Sequence, residues 1–276
     1  PFLITASFII MMLFASWCFL KLSKDVAIGI ILFSIFIYFG LTNMPWLPLI
    51  LIYGLIGFKI GGLKLSLTIV ASFLFITFTG VLPQALLSIY LCGIAVIISF
   101  ILGSSLGIWA AHNDKVSSFM RPINDTMQTM PSFVILIPFV MFFGIGEFTA
   151  LLAIIAYAFV PAMRYTEHGL RNLPETVIEA ARMIGCSQTQ LLWKVKIPLA
   201  MPVIMLGLNQ TIMFGLAMLV IAALVGTTGL GQLIYIGLSK ADFGTGMISG
   251  VSIALIAIIF DRTTQAWRIK LEKKTQ

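Results

Sequence analysis

Long apolar runs dominate this chain of 276 residues, and short charged or glycine- and proline-containing connections separate them. The segments 65–111, 197–239 and 243–260 contain no Asp, Glu, Lys or Arg. About 20 apolar residues cross a bilayer as a helix. Backbone polar groups must be hydrogen-bonded internally within lipid, and the runs lack the period-2 alternation of barrel strands. The pattern therefore predicts an all-α integral membrane protein.

The apolar runs predict eight or nine helices. They lie near residues 2–20, 26–41, 46–58, 65–80, 85–111, 126–144, 148–163, 199–225 and 246–261. The runs 46–58 and 65–80 are short for a full span, so either could be tilted, partial or re-entrant. The first run has no basic region before it and no small-residue cleavage site after it, which favours a membrane span over a signal peptide.

Composition agrees with residence in a bilayer, because 60% of the residues are hydrophobic and only 10% are charged. The excess of 17 Lys and Arg over 10 Asp and Glu could suggest nucleic acid. These residues lie in short connections and in the tail, where they indicate topology instead. Cys18, Cys92 and Cys186 lack metal-ligand spacing, and His112 and His168 stand alone. The sequence therefore predicts neither a metal site nor a disulfide framework.

The basic residues also predict the orientation. One cluster lies within 164–196 and another within the tail 262–274. Both should face the cytoplasm, which places the carboxyl terminus inside. Counting spans backwards puts the basic residues of 59–64 and 115–121 on the same side. With nine spans, the amino terminus would lie outside.

A structured cytoplasmic loop is predicted at 164–198. Pro174 suits the first turn of a helix, Glu175 suits its positive end, and Gly185 suits the position just past its last turn. Ser187 and Gln190 form a capping-box signature for a second short helix.

The first of these helices has two distinct faces. The residues on the apolar face are Val177, Ala181 and Ile184. The residues on the charged face are Glu175, Glu179 and Arg182. The spacing predicts an amphipathic helix that docks onto a partner, with an ordinary solvated loop as the alternative.

The spacing within this loop resembles the EAA motif of ABC importer permeases. That motif reads E-A-A, three residues, G, nine residues and I-x-L-P, and the matching residues here are Glu179, Ala180, Ala181, Gly185, Val195, Ile197 and Pro198. Val195 and Ile197 stand where the family usually has Ile and Leu. In that family the loop is a coupling helix that seats in a groove of the ATP-binding subunit. The resemblance therefore implies coupling roles for Glu175, Glu179, Ala180, Ala181, Arg182 and Gly185.

A wider resemblance, over residues 80–268, is to permeases of the glycine betaine and proline class. It rests on LGIWA at 106–110, RPINDTMQTMP at 121–131, FGIG at 143–146, PLAMP at 198–202, NQT at 209–211, GLGQ at 229–232 and DRTTQA at 261–266. It implies a five-helix type I ABC importer permease core (MetI-like) at 81–268. Three or four accessory transmembrane helices would precede it in 1–80, and a basic cytoplasmic tail would follow at 269–276.

The same resemblance implies the partners of the chain. A separate ATP-binding subunit would bind ATP and magnesium, an extracytoplasmic binding protein would deliver the solute, and a second permease copy would complete a homodimer in a bacterial-type inner membrane. The solute would be glycine betaine or a related quaternary amine or proline. The chain contains no G-x-x-x-x-G-K-[ST] phosphate loop, so no catalytic residue, cofactor or metal is expected in it.

The alternative is an ion- or proton-coupled secondary transporter that works alone. Such a transporter would need paired ionisable residues at membrane depth. The uncharged runs contain none. The sequence therefore favours the ATP-driven importer.

Polar residues and helix breaks within the spans are candidates for the solute pathway. The residues selected on this ground are Pro131, Asn209, Gln210, Thr211 and Met213. For the two amides, hydrogen bonding that merely holds the bundle together is the alternative. For Pro131 the alternative is a static kink, and for the methionine it is core packing.

Three further expectations concern the ends of the spans. The glycines between residues 226 and 246 predict a folded or re-entrant cap on the external side. Asp261 and Arg262 are expected to pair with groups near the coupling loop. Glu147, between two spans on the outer side, is expected to be solvated.

Overall fold

The computed structural model describes residues 46–275, with side chains up to residue 272. The predicted runs 2–20 and 26–41 and the orientation of the amino terminus lie outside the described residues. The helices are α1 (Trp46–Phe78), α2 (Leu82–His112), α3 (Asp114–Thr129), α4 (Ser132–Phe143), α5 (Glu147–Arg171), α6 (Glu175–Met183), α7 (Gln188–Gln190), a π-helical turn (Leu191–Lys196), α8 (Ile197–Ala222), a 3₁₀ turn (Ala223–Val225), α9 (Leu230–Ser239) and α10 (Phe243–Thr275). The predicted all-α class is confirmed.

Five of the described helical segments are long and apolar enough to cross a bilayer. They are α1 when its 33 residues are counted as one helix, α2, α5, the continuous stretch Gln188–Val225 and the segment Phe243–Glu272 of α10. Helices α2, α5 and α8 form the centre of the bundle, and α10 and α1 pack around it.

Helix α1 consists of two arms that fold back on each other at Gly62, whose φ of +77° and ψ of −165° are not helical. The Ser66 hydroxyl donates to the Gly54 carbonyl at 2.9 Å. The ring centroids of Tyr53 and Phe73 lie 5.3 Å apart, whereas a straight helix would separate these residues by about 30 Å. The two predicted runs 46–58 and 65–80 are therefore the two arms of a hairpin.

The tip of this hairpin lies against the carboxyl-terminal helix. The Lys270 ammonium donates to the Lys59 carbonyl, and a Cβ on Gly61 would lie 3.2 Å from the Ala266 Cβ. The basic tip and the basic end of α10 therefore lie on the same side of the bundle, as the charge pattern predicts.

Small residues bring α2 and α5 into close contact. A Cβ on Gly103 would lie 2.6 Å from the Phe159 carbonyl oxygen, and a Cβ on Gly107 would lie 2.6 Å from that of Met163. Backbones approach this closely only where a side chain is absent, which is the small-xxx-small packing of membrane helices. Gly207 of α8 similarly lies against Tyr165 of α5. A Cβ added to Gly207 would lie 2.7 Å from the Tyr165 Cβ.

The predicted span at 126–144 is broken at Pro131, as the proline in the sequence indicates. Helices α3 and α4 meet there at a bend of 103°. Pro131 precedes α4 and does not continue α3, because its ring fixes φ and it has no N–H to donate. With 12 residues, α4 is about 18 Å long, well short of a hydrocarbon core of about 30 Å.

The glycine-rich connection between residues 226 and 246 contains the short helix α9, which confirms that it is folded, and its external position stays a prediction. Gly229, with φ of +118°, precedes α9, and the Leu230 N–H donates to the Ser88 hydroxyl at 2.8 Å. The Thr228 hydroxyl donates to Glu147, so the expectation that this carboxylate is merely solvated is wrong. The contact ties the start of α5 to the cap.

We predict that Gly103→Ala and Gly107→Ala each lower the midpoint of thermal unfolding. The added methyl groups would lie within 3 Å of backbone atoms of α5, and overpacking of this kind costs about 1–3 kcal/mol. Gly93→Ala is the matched control, because a Cβ at that position of α2 meets no atom within 4 Å. Thermal unfolding of the detergent-solubilised protein measures the difference. Equal midpoints for all three variants would contradict the proposed packing.

Candidate functional site

The part of the predicted loop that lies outside the long helical segments is confined to the residues between Arg171 and Gln188, because α5 and the stretch before α8 extend further than predicted. The predicted loop 164–198 therefore contains the end of α5, helix α6 and the start of the stretch that leads into α8, and its cytoplasmic position stays a prediction. Charged residues mark where a helix leaves the lipid, but its backbone hydrogen bonds continue beyond that point. The second short helix begins at Gln188 as predicted, yet it is not separate. It runs through the π-helical turn into α8.

The π-helical turn lies directly before Pro198. In a regular α-helix the ring of Pro198 would clash with the carbonyl of Lys194, four residues earlier. A π-helical turn widens the backbone at this place and lets the helix continue through the proline. The loop is therefore joined rigidly to α8.

Helix α6 is fixed at its carboxyl end by a Schellman motif. Gly185 has a φ of +86°. Its N–H donates to the Arg182 carbonyl at 2.9 Å, and the Cys186 N–H donates to the Ala181 carbonyl at 3.2 Å. Glycine adopts this left-handed conformation without steric cost. The predicted role of Gly185 as the helix terminator is confirmed.

The predicted capping box also forms. The Gln190 N–H donates to the Ser187 hydroxyl at 3.3 Å, and the Ser187 N–H donates to the Gln190 side chain at 3.0 Å. Together with the Schellman motif, it sets the angle at which α6 leaves the bundle. The geometry of the loop is therefore specified by its own sequence.

The prediction of the buried face of α6 is wrong in part. Ala181 is 9% exposed, but Val177 is 38% and Ile184 is 84% exposed. Ile184 lies at the cap, beyond the last helical residue, so the helical periodicity no longer determines which way it faces. Ile178 is half-buried and completes the packed face.

The free side of α6 combines charges with an apolar tip. The charged residues Glu175, Glu179 and Arg182 are exposed and form no ion pair with any residue of the described part of the chain. Met183, which is 90% exposed, and Ile184 form the apolar tip. Exposed apolar side chains rimmed by polar ones are typical of protein interaction sites.

Asn209 links α8 to α10 through a buried polar cluster. Its amide donates to the Asp261 carboxylate at 2.9 Å and accepts a hydrogen bond from the Thr264 hydroxyl at 2.6 Å. Gln265 donates to both oxygens of the same carboxylate, at 2.7 and 2.8 Å. This is the interhelical role that the sequence left open for Asn209.

The cluster also corrects the expectation for Asp261. This residue bonds to α8 and to its own helix, and not to a group near α6. Arg262 lies at the edge, with its Nε 3.9 Å from the carboxylate. The sequence separation of 52 residues between Asn209 and Asp261 leaves no periodic signal for this contact.

The other pathway candidates occupy different environments. Thr211 is fully buried and donates to the Gly207 carbonyl of its own helix at 2.8 Å. Gln210 and Met213 are half-buried on α8, and Pro131 is exposed before α4. The structure does not bring Pro131 together with the candidates on α8, and a pathway role for these residues stays a prediction.

A polar seam, which is a row of ion pairs and hydrogen bonds between α3 and the end of α5, was not predicted from the sequence. Arg164 pairs with Asp125 and donates to Gln128. Arg171 pairs with Asp114 at 2.8 Å. Polar residues recur along α3 at intervals of three and four, and this spacing would have indicated one polar face.

A buried carboxylate lies within this seam. Glu167 accepts hydrogen bonds from the Ser117 hydroxyl at 2.5 Å and from the Arg171 guanidinium at 3.0 Å. These bonds compensate for the burial of its charge. Among the described residues, no group of His, Cys, Asp and Glu has the arrangement of a metal site.

Comparison with known proteins gives a consistent assignment. Residues 103–268 match the family model described as binding-protein-dependent transport system inner membrane component. The glycine betaine/proline betaine transport system permease protein ProW of Escherichia coli is 40% identical over 226 residues, which cover 82% of this chain and 64% of ProW. The chain thus spans less than two thirds of the length of that relative.

Two other relatives are similar. The glycine betaine transport system permease protein OpuAB of Bacillus subtilis is 37% identical over 91% of this chain and 88% of its own length. The trimethylamine N-oxide transport system permease protein TmoV of Pelagibacter ubique is 42% identical over 82% of this chain and 31% of its own.

A solved structure shares the fold. An inward-facing form of the MetNI methionine ABC transporter aligns with a TM-score of 0.61 at 18% identity, covering 69% of this chain and 95% of the other. At this identity the likeness concerns the fold alone. The five-helix type I permease core predicted from the sequence is confirmed.

We predict that Asn209→Leu destabilises the protein by about 1 kcal/mol, in line with hydrogen bonds between membrane helices. The substitution leaves Asp261 and Thr264 without a partner on α8. Gln210→Leu is the matched control, because this neighbouring amide has no hydrogen bond within the described residues. Thermal unfolding should separate the two variants. Equal destabilisation by both would contradict the role given to the cluster.

Proposed function

The chain belongs to the family of binding-protein-dependent transport system inner membrane components, and we propose on this basis that it is the membrane-spanning permease subunit of an ATP-driven importer for a methylated ammonium solute such as glycine betaine. One observation carries the proposal. Helix α6 projects from the end of the bundle that the charge pattern predicts to be cytoplasmic, with exposed charges and an exposed apolar tip, and caps at the ends of its loop hold it in this pose.

The proposed partner of α6 is a separate ATP-binding subunit, which would bind ATP and magnesium. A helix of nine residues held by defined caps presents the same surface each time, so little conformational entropy is lost on docking. Met183 and Ile184 would fill an apolar groove, with Glu175, Glu179 and Arg182 at its polar rim. Ala180 and Ala181 allow the helix to approach its neighbours closely.

A displacement of α6 would reach the bundle through its contacts. Helix α6 packs against the π-helical turn, in which Leu191 is almost fully buried. That turn continues into α8, and α8 is bonded to α10 through Asn209 and Asp261. A push on the docking helix would therefore move both of the last two long spans, as alternating access requires.

The solute class is supported by the relatives. Their names specify glycine betaine, proline betaine and trimethylamine N-oxide, which all carry a methylated nitrogen. These relatives are named as permease proteins of transport systems, which favours an importer over the ion-coupled secondary transporter. An extracytoplasmic binding protein would deliver the solute to the external face formed by α9 and the preceding cap, and a second copy of the chain would complete the pathway.

We predict a graded effect of substitutions at Gly185 on coupling. Its φ of +86° costs an ordinary residue about 1–2 kcal/mol, which corresponds to roughly five- to thirty-fold weaker docking. Gly185→Asn should be milder than Gly185→Ala, because asparagine tolerates this conformation best after glycine. Glycine betaine uptake and co-purification of the ATP-binding subunit should be highest in the native protein, lower in Gly185→Asn and lowest in Gly185→Ala.

Gly250→Ala serves as the control for this series. Its added Cβ meets no atom within 4 Å, and the backbone there is an ordinary helix. This variant should match the native protein in both assays. Native uptake and native subunit retention in Gly185→Ala would refute the coupling role of α6.

A further inference from the structure

A charged cavity of about 580 Å³ lies between α3 and the cytoplasmic end of α5. It is separate from the exposed side of α6 and from the Asn209 cluster. Its wall includes Arg121, Asn124 and Asp125 of α3, and Arg164, Tyr165 and Glu167 of α5. This volume lies within the range of small-molecule sites, about 300–1,000 Å³.

Arg121 is the unpaired cation of this cavity. Arg164 pairs with Asp125, and Arg171 pairs with Asp114 and Glu167. Arg121 has no ion pair or hydrogen bond with any residue between 46 and 272. A planar guanidinium with five free donors is suited to a carboxylate.

Asn124 supplies an unpartnered acceptor next to this cation. The residue is 2% exposed, and its Nδ2 contacts the Met163 sulfur at 3.4 Å. Its Oδ1 has no hydrogen-bond partner among the described groups. A buried acceptor without a partner costs about 1–3 kcal/mol, so a ligand that offers a polarised N–H or C–H group would relieve this cost.

The charges in the wall select the chemical class of the ligand. A purely anionic ligand could bind Arg121, but it would repel the unpartnered Oδ1 of Asn124 and offer it no donor. A purely cationic ligand would meet the guanidinium groups of Arg121 and Arg164. A zwitterion can place its carboxylate on Arg121 and its ammonium beside Asn124, the carboxylates and the aromatic ring of Tyr165, which attracts quaternary ammonium groups.

We propose that this cavity is a binding site for a zwitterionic solute on the cytoplasmic side of the permease, a use that rests on the proposed function. Asn172 also lines the cavity and lies three residues before α6 begins. The site is therefore on the side where the solute leaves the protein. Occupancy would be sensed at the joint between α5 and the docking helix.

The test uses the permease purified with its ATP-binding subunit and without the binding protein. Equilibrium dialysis with labelled glycine betaine should show saturable binding. Arg121→Gln should weaken it at least tenfold, while Arg121→Lys should retain part of the affinity because the charge remains. Choline, which has the quaternary ammonium group but no carboxylate, should bind at least tenfold more weakly than glycine betaine.

Lys115→Gln is the matched control, because it removes one positive charge from the exposed side of the same helix, outside the cavity. It should bind glycine betaine as the native complex does. Equal affinities of Arg121→Gln and Lys115→Gln would overturn the site, and so would equal affinities for choline and glycine betaine.

Uptake assays distinguish failure of this site from failure of the proposed function. If the complete native transporter takes up glycine betaine but shows no binding in dialysis, the cavity site is wrong and the importer function stands. If the complete native transporter takes up no methylated ammonium solute, the proposed function fails and the inferred ligand fails with it.

Discussion

The absence of hydrogen-bond partners in the hydrocarbon core is the constraint on which the rest of this structure depends. It requires the described chain to cross the bilayer as helices, and it leaves irregular backbone at few places. Among those places are Gly62, the break at Met130 and Pro131, the connection before α9 and the loop before Gln188. At each of them a glycine, a proline or a side-chain cap accommodates the interruption of the regular backbone hydrogen bonds. The loop before Gln188 carries helix α6.

A second consequence is that continuous backbone and polar contacts between helices hold neighbouring helices together. The π-helical turn joins α6 to α8, Asn209 and Asp261 join α8 to α10, and the Lys270–Lys59 contact joins α10 to the tip of the hairpin. Helix α6 is thus linked to the hairpin of α1 through successive contacts. The close glycine contacts between α2 and α5 form the packed centre of the bundle.

The sequence was sufficient for features determined by local chemistry. The hydrophobic runs predicted the helical class, Lys59 and Lys64 indicated the hairpin tip, and Gly185 and the Ser187 capping box predicted both caps of the docking loop. Helix ends were less predictable, because a charge marks the water boundary and not the last hydrogen bond. The bend at Pro131 and the exposure of Ile184 depend on where a helix stops. The Asn209–Asp261 contact and the cavity at Arg121 depend on packing between distant segments, which no short-range pattern encodes.

We propose that this chain transports solute only when a separate subunit hydrolyses ATP. The most direct measurement is uptake of labelled glycine betaine into vesicles that hold the permease and its ATP-binding subunit, with the binding protein outside, MgATP inside and all ion gradients collapsed. Uptake should require ATP and every subunit. Uptake by this chain alone, driven by a proton gradient and independent of ATP, would contradict it.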